Sequence, residues 1–495
     1  MAGIGFAINK IVKDQSYKSK VRAFSYASIV TLVPLILGEL VLVAAYLLTA
    51  IANFHITDRN LMVAILTYGI LASMLVNGIT APVVSRFVSD RLFHKDLSLL
   101  LATYWGSQGV VLAIGASLYG LFIIVSGLGI LYGLLAWLLF CQLLLSWNAM
   151  NYLTVLQDYI GIIKAFGVTI VLTFVMGGLF LILGLTPVAA VISGLVMGYA
   201  GFNVQSTLLL YHHFPRTIDW HHLFDFLAYF DDFWQLAWSG FLTQVGLIGH
   251  IIIIWFSPIG QRVKGLFFIA PYYDLTLFLA SLTMLATTIS FIVSLEVDFY
   301  RSYRNYYTSF TRGASLTQLR QAEKEMTGCL NRGLKKTVWI QLMVTMVMIS
   351  LGTVVLNALP LGFNNTISGY FRILCVSYAI YGMANVINLS SQYFGNIAGS
   401  FKGTLVFASV STVATLFFLL ANPVFFGFGF LIGNAVYFMM MWLQMEDLNH
   451  RVLYQFLGRL PLVEEEKDGF FHCLAQRLNQ KAVQTFAHDR SNERE

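Results

Sequence analysis

The sequence predicts an all-α polytopic membrane protein of about twelve transmembrane helices arranged as two six-helix lobes, and three observations carry that expectation. Hydrophobic residues make up 58% of the 495 residues and charged residues only 11%, too apolar a balance for the surface of a soluble chain of this length. The apolar residues are gathered into long runs, most of them near the roughly 20 residues a helix needs to cross hydrocarbon about 30 Å thick. The 30 lysines and arginines fall into alternate gaps between those runs. Lipid offers no partner to a bare peptide group, so a spanning backbone has few alternatives to helix.

In chain order the runs are Ala23 to Ile51, Leu61 to Val84, Leu97 to Val125, Ile130 to Asn148, Ala165 to Leu185 and Val188 to Tyr211. After a polar and aromatic connector come Leu236 to Phe256, Leu266 to Val293, Thr337 to Leu359, Ile367 to Leu389, Leu405 to Ala421 and Val424 to Leu443. The first run follows Lys10, Lys13, Lys18, Lys20 and Arg22 and is too long for a secretory signal, so a retained helix is expected. Six runs on either side of a connector are the spacing of a duplicated unit with parallel repeats and a cleft between them. The expected organisation is residues 1–211 as the first lobe, 212–235 as cytoplasmic connector, 236–447 as the second lobe and 448–495 as a cytoplasmic tail.

With Met1 inside, the inward segments hold 26 basic residues and the outward side 4, namely Arg59, Arg262, Lys264 and Arg372. That bias places both termini in the cytoplasm. The net charge of +6 then belongs to loops facing anionic lipid headgroups, and no nucleic-acid partner is expected. Cys141, Cys329, Cys375 and Cys473 lie far apart without a Cys-x-x-Cys pair, so neither a disulfide framework nor a zinc site is expected. In the connector, the pairs His212-His213 and His221-His222 fit a solvated, headgroup-facing loop better than a metal site, because neighbouring imidazoles seldom converge.

Two further non-membrane segments have helical character. Ser315 and Gln318 form a capping box ahead of Leu316, Leu319, Met326 and Leu330, predicting an amphipathic helix on headgroups or a partner. Arg451 to Phe486 interleaves apolar with charged residues, predicting an interfacial or partner-binding helix, with fraying from His488 onward.

Glu39, His250, Asp274 and Arg372 are ionisable residues within apolar runs, where a charge costs about 2.5 to 3.5 kcal/mol on insertion scales and usually faces a cavity or a partner. These four are the candidates for the transport pathway or its coupling. Glu39 and His250 stand at matching depths in the first runs of the two lobes, as a titratable pair across the cleft or as groups satisfied separately within each lobe. Asp274 and Arg372 differ in depth by about 5 Å along their runs, which predicts a salt bridge or, alternatively, an outer vestibule that meets substrate. Asn77, Gln108, Gln142, Gln244, Asn385 and Asn388 add hydrogen-bonding groups, and Trp105, Trp147 and Tyr381 add ring faces for sugars. No phosphate loop, no His-Glu-x-x-His and no large extramembrane domain is present, so an enzyme is not expected and no cofactor is called for.

Met1-Ala-Gly-Ile-Gly-Phe6, Ser89-Asp-Arg-Leu-Phe93 and Phe299-Tyr-Arg-Ser-Tyr-Arg-Asn-Tyr-Tyr307 resemble the Pel exopolysaccharide transporter (PelG) family, over roughly Met1 to Leu448. The resemblance implies a V-shaped pair of lobes, within the multidrug, oligosaccharidyl-lipid and polysaccharide exporter superfamily, exporting a hexosamine-rich polysaccharide for biofilm matrix. It also implies a cytosolic glycosyltransferase and a membrane-bound cyclic-di-GMP receptor as partners. Tyr300, Arg301, Tyr303, Arg304, Tyr306 and Tyr307 form an aromatic and basic string suited to docking a partner or to anchoring in headgroups. Ala7-Ile8 departs from the family pattern, which has an acidic residue and leucine there, and the tail beyond Leu448 is longer than usual. The alternatives are a lipid-linked oligosaccharide flippase or a cation-coupled multidrug antiporter of the same superfamily, and more remotely a membrane-embedded glycosyltransferase, which short outer loops disfavour.

Overall fold

A computed structural model describes residues 55–94, 96–154, 158–214, 219–294, 299–358, 365–420, 422–458 and 469–492. The first apolar run, with Glu39, lies outside the described residues. Each of the other eleven runs overlaps one of eleven helical stretches long and apolar enough to cross a membrane, Pro271–Ile292 being a stretch of two short helices.

Five of these helices precede the connector: α1 (Ile56–Phe93), α2 (Ser98–Ser126), α3 (Ile130–Leu153), α4 (Tyr159–Ile182) and α5 (Pro187–His213). Pro82 sits inside α1, and Pro187 opens α5, where its missing N–H costs nothing. The second group comprises α6 (Trp234–Trp255), the paired α7 (Pro271–Ser281) and α8 (Met284–Val293), then α9 (Tyr300–Thr311), α10 (Leu316–Ala358), α11 (Asn365–Tyr393), α12 (Ile397–Leu420) and α13 (Phe428–Gly458). A last helix, α14, runs Phe470–Asn492. Its backbone continues past His488, where composition alone predicts fraying.

The apolar core follows this grouping. Three buried clusters draw mainly on α1 to α5, and one large cluster rich in Tyr, Phe and Met spans Ile251 to Leu448. α1 and α6 hold the two groups together. Gly78 and Gly240 face each other there, and a Cβ on Gly240 would overlap the Gly78 carbonyl, so the backbones meet at a distance only glycine permits. In lipid, where burial of apolar surface gives little drive, such close backbone packing is what holds helices together.

Three segments differ from the sequence expectation, each for a tertiary reason. Leu266 to Ala270 does not begin a helix: Gln261–Lys264 (β1) and Phe267–Ile269 (β2) form an antiparallel hairpin turning at Gly265. The connector is no solvated loop, because Phe226 is fully buried and Leu227 nearly so, in the cluster where the C-terminal ends of α1 and α3 meet the start of α2. The tail helix packs on that same connector. Asp231 accepts backbone hydrogen bonds from Phe471 (3.2 Å) and His472 (2.8 Å), capping α14, while Asn479 bonds Asp225 (2.9 Å) and the Phe224 N–H (2.9 Å). The partner of the amphipathic tail is thus the chain itself. The Ser315 and Gln318 capping box forms as expected, and the helix it starts runs unbroken into a membrane span.

Candidate functional site

Between α1 and α3 the sequence places polar groups one helical turn apart, and the fold aligns them. Trp147 Nε1 donates to Ser73 Oγ (3.1 Å), and one turn on, Asn151 Nδ2 donates to Asn77 Oδ1 (3.5 Å). Beside them, Asn203 Nδ2 donates to Gln142 Oε1 (2.8 Å), Ser146 Oγ to Asn203 Oδ1 (3.0 Å) and Asn148 Nδ2 to Ser107 Oγ (3.0 Å). Gln244 of α6 reaches the same place from the other group. Its side chain lies against Gly78, next to Asn77, and its Oε1 is buried without a hydrogen-bond partner among the described residues. Gln108 Oε1 and Asn148 Oδ1 are likewise unspent acceptors. Leu131 and Leu134 form an exposed apolar side of α3, and Trp147 stands roughly 140° around the helix from Leu134. The amide and indole stripe therefore points away from that apolar side. It carries no ionised group, and amides and indoles pair with hydroxyls without selecting a charge.

The other aromatic candidates divide. Trp105 is exposed and donates to the Tyr211 hydroxyl (3.0 Å), whereas Tyr381 is buried against Phe407 and has no free face.

At the end of the molecule that the charge rule makes the outer one, the hairpin of the second group is built into the first. Phe267 is fully buried among residues of α1, α3 and α5. The Leu266 N–H donates to the Ser126 carbonyl (2.9 Å), Tyr68 donates to the Leu266 carbonyl (3.3 Å), and the Phe268 N–H donates back to the Tyr68 hydroxyl (3.1 Å). The Tyr68 ring stacks on Trp255 at 4.7 Å, and Lys264 lies over Tyr132. Gly265, at φ 58°, packs where a Cβ would overlap the Ser126 oxygen. This constellation covers the end of the α1 and α6 contact that carries Tyr68 and Trp255. Sequence reasoning missed it, although the glycine after the alternating Gln261-Arg-Val-Lys264 was its one signal.

Glu39 lies outside the described residues, and the other three intramembrane candidates do not converge. Asp274 stands in the first turn of α7, not deep in a span, and its carboxylate accepts from Trp255 Nε1 (3.0 and 3.1 Å) and from the Ala270 N–H (2.9 Å). A carboxylate is favoured at a helix N-terminus. It makes no salt bridge with Arg372, which is exposed on α11, so the expected pair is corrected: the intervening hairpin moves Asp274 to the helix end and Trp255 takes its oxygens. Arg372 is accordingly no buried vestibule charge. His250 is almost fully buried and turned into its own group, stacked on Phe430 at 4.0 Å with Tyr273 at its edge. Its expected partner across the cleft, Glu39, lies outside the described residues. Neither ring nitrogen makes a hydrogen bond of good geometry among the described residues. The Tyr273 and Tyr437 hydroxyls and Asn434 Oδ1 in the same core are also unpartnered.

The aromatic and basic string on α9 also sorts by burial. Tyr306 is buried against α10, and Tyr303 and Tyr307, their rings 4.4 Å apart, pack on the same core. Burial, reinforced by the Glu323 carboxylate, pushes the Tyr306 phenol up to about 12. Arg301 and Arg304 are exposed. The tyrosines therefore hold α9 to α10, and only the arginines present a docking face; the side chain of Tyr300 lies outside the described residues.

No group of His, Cys, Asp and Glu able to hold a metal exists among the described residues. An apolar cavity of about 650 Å³ opens between α1, α2 and α6, lined by Leu75, Ile79, Leu118 and Phe241, which gives a hydrated polymer nothing to bond.

Three solved transporters share this fold. A point mutant of a MATE transporter is 12% identical with a TM-score of 0.61, the match covering 92% of this chain and 99% of that one. A MOP superfamily transporter from Pyrococcus furiosus is 12% identical with a TM-score of 0.57, covering 87% and 96%. The lipid II flippase MurJ, in an inward closed conformation, is 13% identical with a TM-score of 0.52, covering 94% and 99%. No curated protein matches the chain in sequence. The family model of PelG, the exopolysaccharide exporters termed EPS-E, matches residues 1–456, and this chain, a multi-pass transporter and not an enzyme, belongs to that family.

Proposed function

We propose that this protein exports a hexosamine-rich, Pel-type exopolysaccharide across the bacterial cytoplasmic membrane for biofilm matrix, both termini lying in the cytoplasm. The observation that carries this reading is the uncharged stripe of Asn77, Asn151, Trp147 and Gln244 at the junction of the two helix groups. A polymer moving past such a surface exchanges one set of amide hydrogen bonds for another, so no single sugar is held too tightly to leave. In this reading residues 1–211 and 236–447 are the two lobes, and the Tyr68 and Phe267 latch is their outer closure. His250, with the unspent phenols near it, is the coupling candidate of the second lobe, Glu39 its counterpart in the first, and Asp274 steadies the hairpin. Arg301 and Arg304 offer the inner face to a cytosolic glycosyltransferase or a cyclic-di-GMP receptor.

Deletion of the gene followed by complementation with Asn77→Leu/Asn151→Leu tests the proposal. Surface hexosamine polymer should vanish on deletion, return with the wild-type chain, and stay below a tenth of normal with the double variant at equal membrane abundance. Normal matrix in the deletion strain, or full rescue by the double variant, refutes it. A second reading, flipping of a lipid-linked oligosaccharide, is favoured by the apolar cavity beside the stripe, which would suit an isoprenoid tail.

A further inference from the structure

Where the charged stretches of α10 and α13 meet their apolar runs, a cavity of about 320 Å³ opens between the two helices, and the export reading leaves it unused. Lys335 stands just ahead of the apolar run of α10, and Glu446 just after that of α13. Both side chains are exposed and line the cavity, yet no ion pair joins them. Each helix also places a tryptophan one turn to the apolar side of its charge, Trp339 and Trp442, 65% and 44% exposed. Tryptophan in that position marks the level of lipid headgroups. Asn331 spends its carbonyl oxygen on the Asn449 amide (3.3 Å), which leaves its own NH2 as a donor at the cavity wall. Leu334 and Ile387 form an apolar floor. Toward the membrane interior the same two stripes continue as Leu342 and Met346 on α10 and Met439 on α13, all exposed.

We infer that this cavity holds the headgroup of phosphatidylethanolamine, its phosphate on Lys335 and Asn331 and its ammonium on Glu446, with the acyl chains along the exposed apolar stripes. The headgroup is chosen by charge complementarity. A basic rim alone attracts any anionic lipid, but the carboxylate in the same cavity opposes that. A zwitterion with a compact cation answers both charges at once, each through a charge-assisted hydrogen bond. Choline has no N–H to give Glu446, and phosphatidylglycerol has no cation. A lipid seated between α10 and α13 also stabilises their packing by linkage. The site needs only the spans, whatever polymer is exported, and the charge rule puts it in the inner leaflet.

Full-length protein in phosphatidylcholine nanodiscs would carry a trace of phosphatidylethanolamine with a photoreactive acyl chain, and the labelled peptides would be mapped. Label should concentrate in residues 331–346 and 439–449, against the excess of choline lipid. Unlabelled phosphatidylethanolamine should compete about tenfold more effectively than phosphatidylglycerol, the scale of a charge-assisted hydrogen bond. Lys335→Gln and Glu446→Gln should each lower the label in those segments about fivefold or more. Lys336→Gln, an exposed neighbour outside the cavity, should not. All three alter exposed side chains, so the melting temperature in pure phosphatidylcholine should stay at the wild-type value. Label spread evenly over the spans, equal competition by phosphatidylglycerol, or a loss with Lys336→Gln as large as with Lys335→Gln overturns the inference. Indifference to both Lys335→Gln and Glu446→Gln does so too.

Discussion

Gly265→Ala should loosen the outer closure. At φ 58° an L side chain costs about 1 to 2 kcal/mol, and here the added methyl would also overlap the Ser126 carbonyl, so the hairpin must lift. Lifting sacrifices the Leu266 to Ser126 hydrogen bond, about 1 kcal/mol, and re-exposes part of Phe267, about 1 kcal/mol for half its side chain. The contact part alone, about 2 kcal/mol, shifts the balance between closed and open roughly thirtyfold, and the whole shifts it by 10²-fold or more. Hydrogen exchange of peptides covering residues 261–269 in nanodiscs reads this directly, because the Leu266 and Phe268 amides are bonded across the latch. Gly313→Ala is the matched control: its φ is 69° with open space around the Cβ, so it bears the dihedral cost and no collision. If Gly265→Ala leaves exchange at the hairpin as slow as in the wild type, or if Gly313→Ala speeds it equally, the latch argument fails.

Replacing Asp231 with Ala removes two backbone caps from α14 and should weaken its docking by about 1 to 2 kcal/mol, seen as faster limited proteolysis of the tail with the membrane core intact. Gly240→Ala forces α1 and α6 apart at Gly78 and should cost about 1 to 3 kcal/mol, a fall in the detergent melting temperature that Gly109→Ala, in open space, does not share. A double-mutant cycle of Asp274→Asn and Arg372→Gln should give a coupling energy within about 0.5 kcal/mol of zero; a larger value would restore the salt bridge. His250→Phe keeps the stack on Phe430 and deletes two unpartnered nitrogens, so it should raise stability by about 1 kcal/mol while lowering export. Unchanged export with raised stability would remove His250 from coupling.

The legible part of the fold was the part written in runs. Eleven helices lie where hydropathy places them because a span must bury an entire peptide backbone in lipid, and nothing but a long apolar helix does so. The capping box at Ser315 was equally readable, being a contact between residues three apart. The candidate site was half legible. Asn77, Gln142, Gln244 and Trp147 stood out as polar or aromatic groups in apolar stretches, yet their alignment into one stripe depends on how α1, α3 and α6 are turned.

What the sequence by itself determined is the membrane class, the place of the spans along the chain and the family, because hydrophobicity, charge and short-range capping act within one element. Only the tertiary structure decided that Phe267 belongs to the core of the other helix group, that Tyr306 is packing and not docking surface, and that the tail closes on the connector. It also decided that Asp274 answers to Trp255, that Arg372 is exposed and that the His250 ring stacks on Phe430. The physical reason is the same in each case: which partner satisfies a buried ring or charge depends on which faces of distant helices meet, and periodicity within one helix does not encode that.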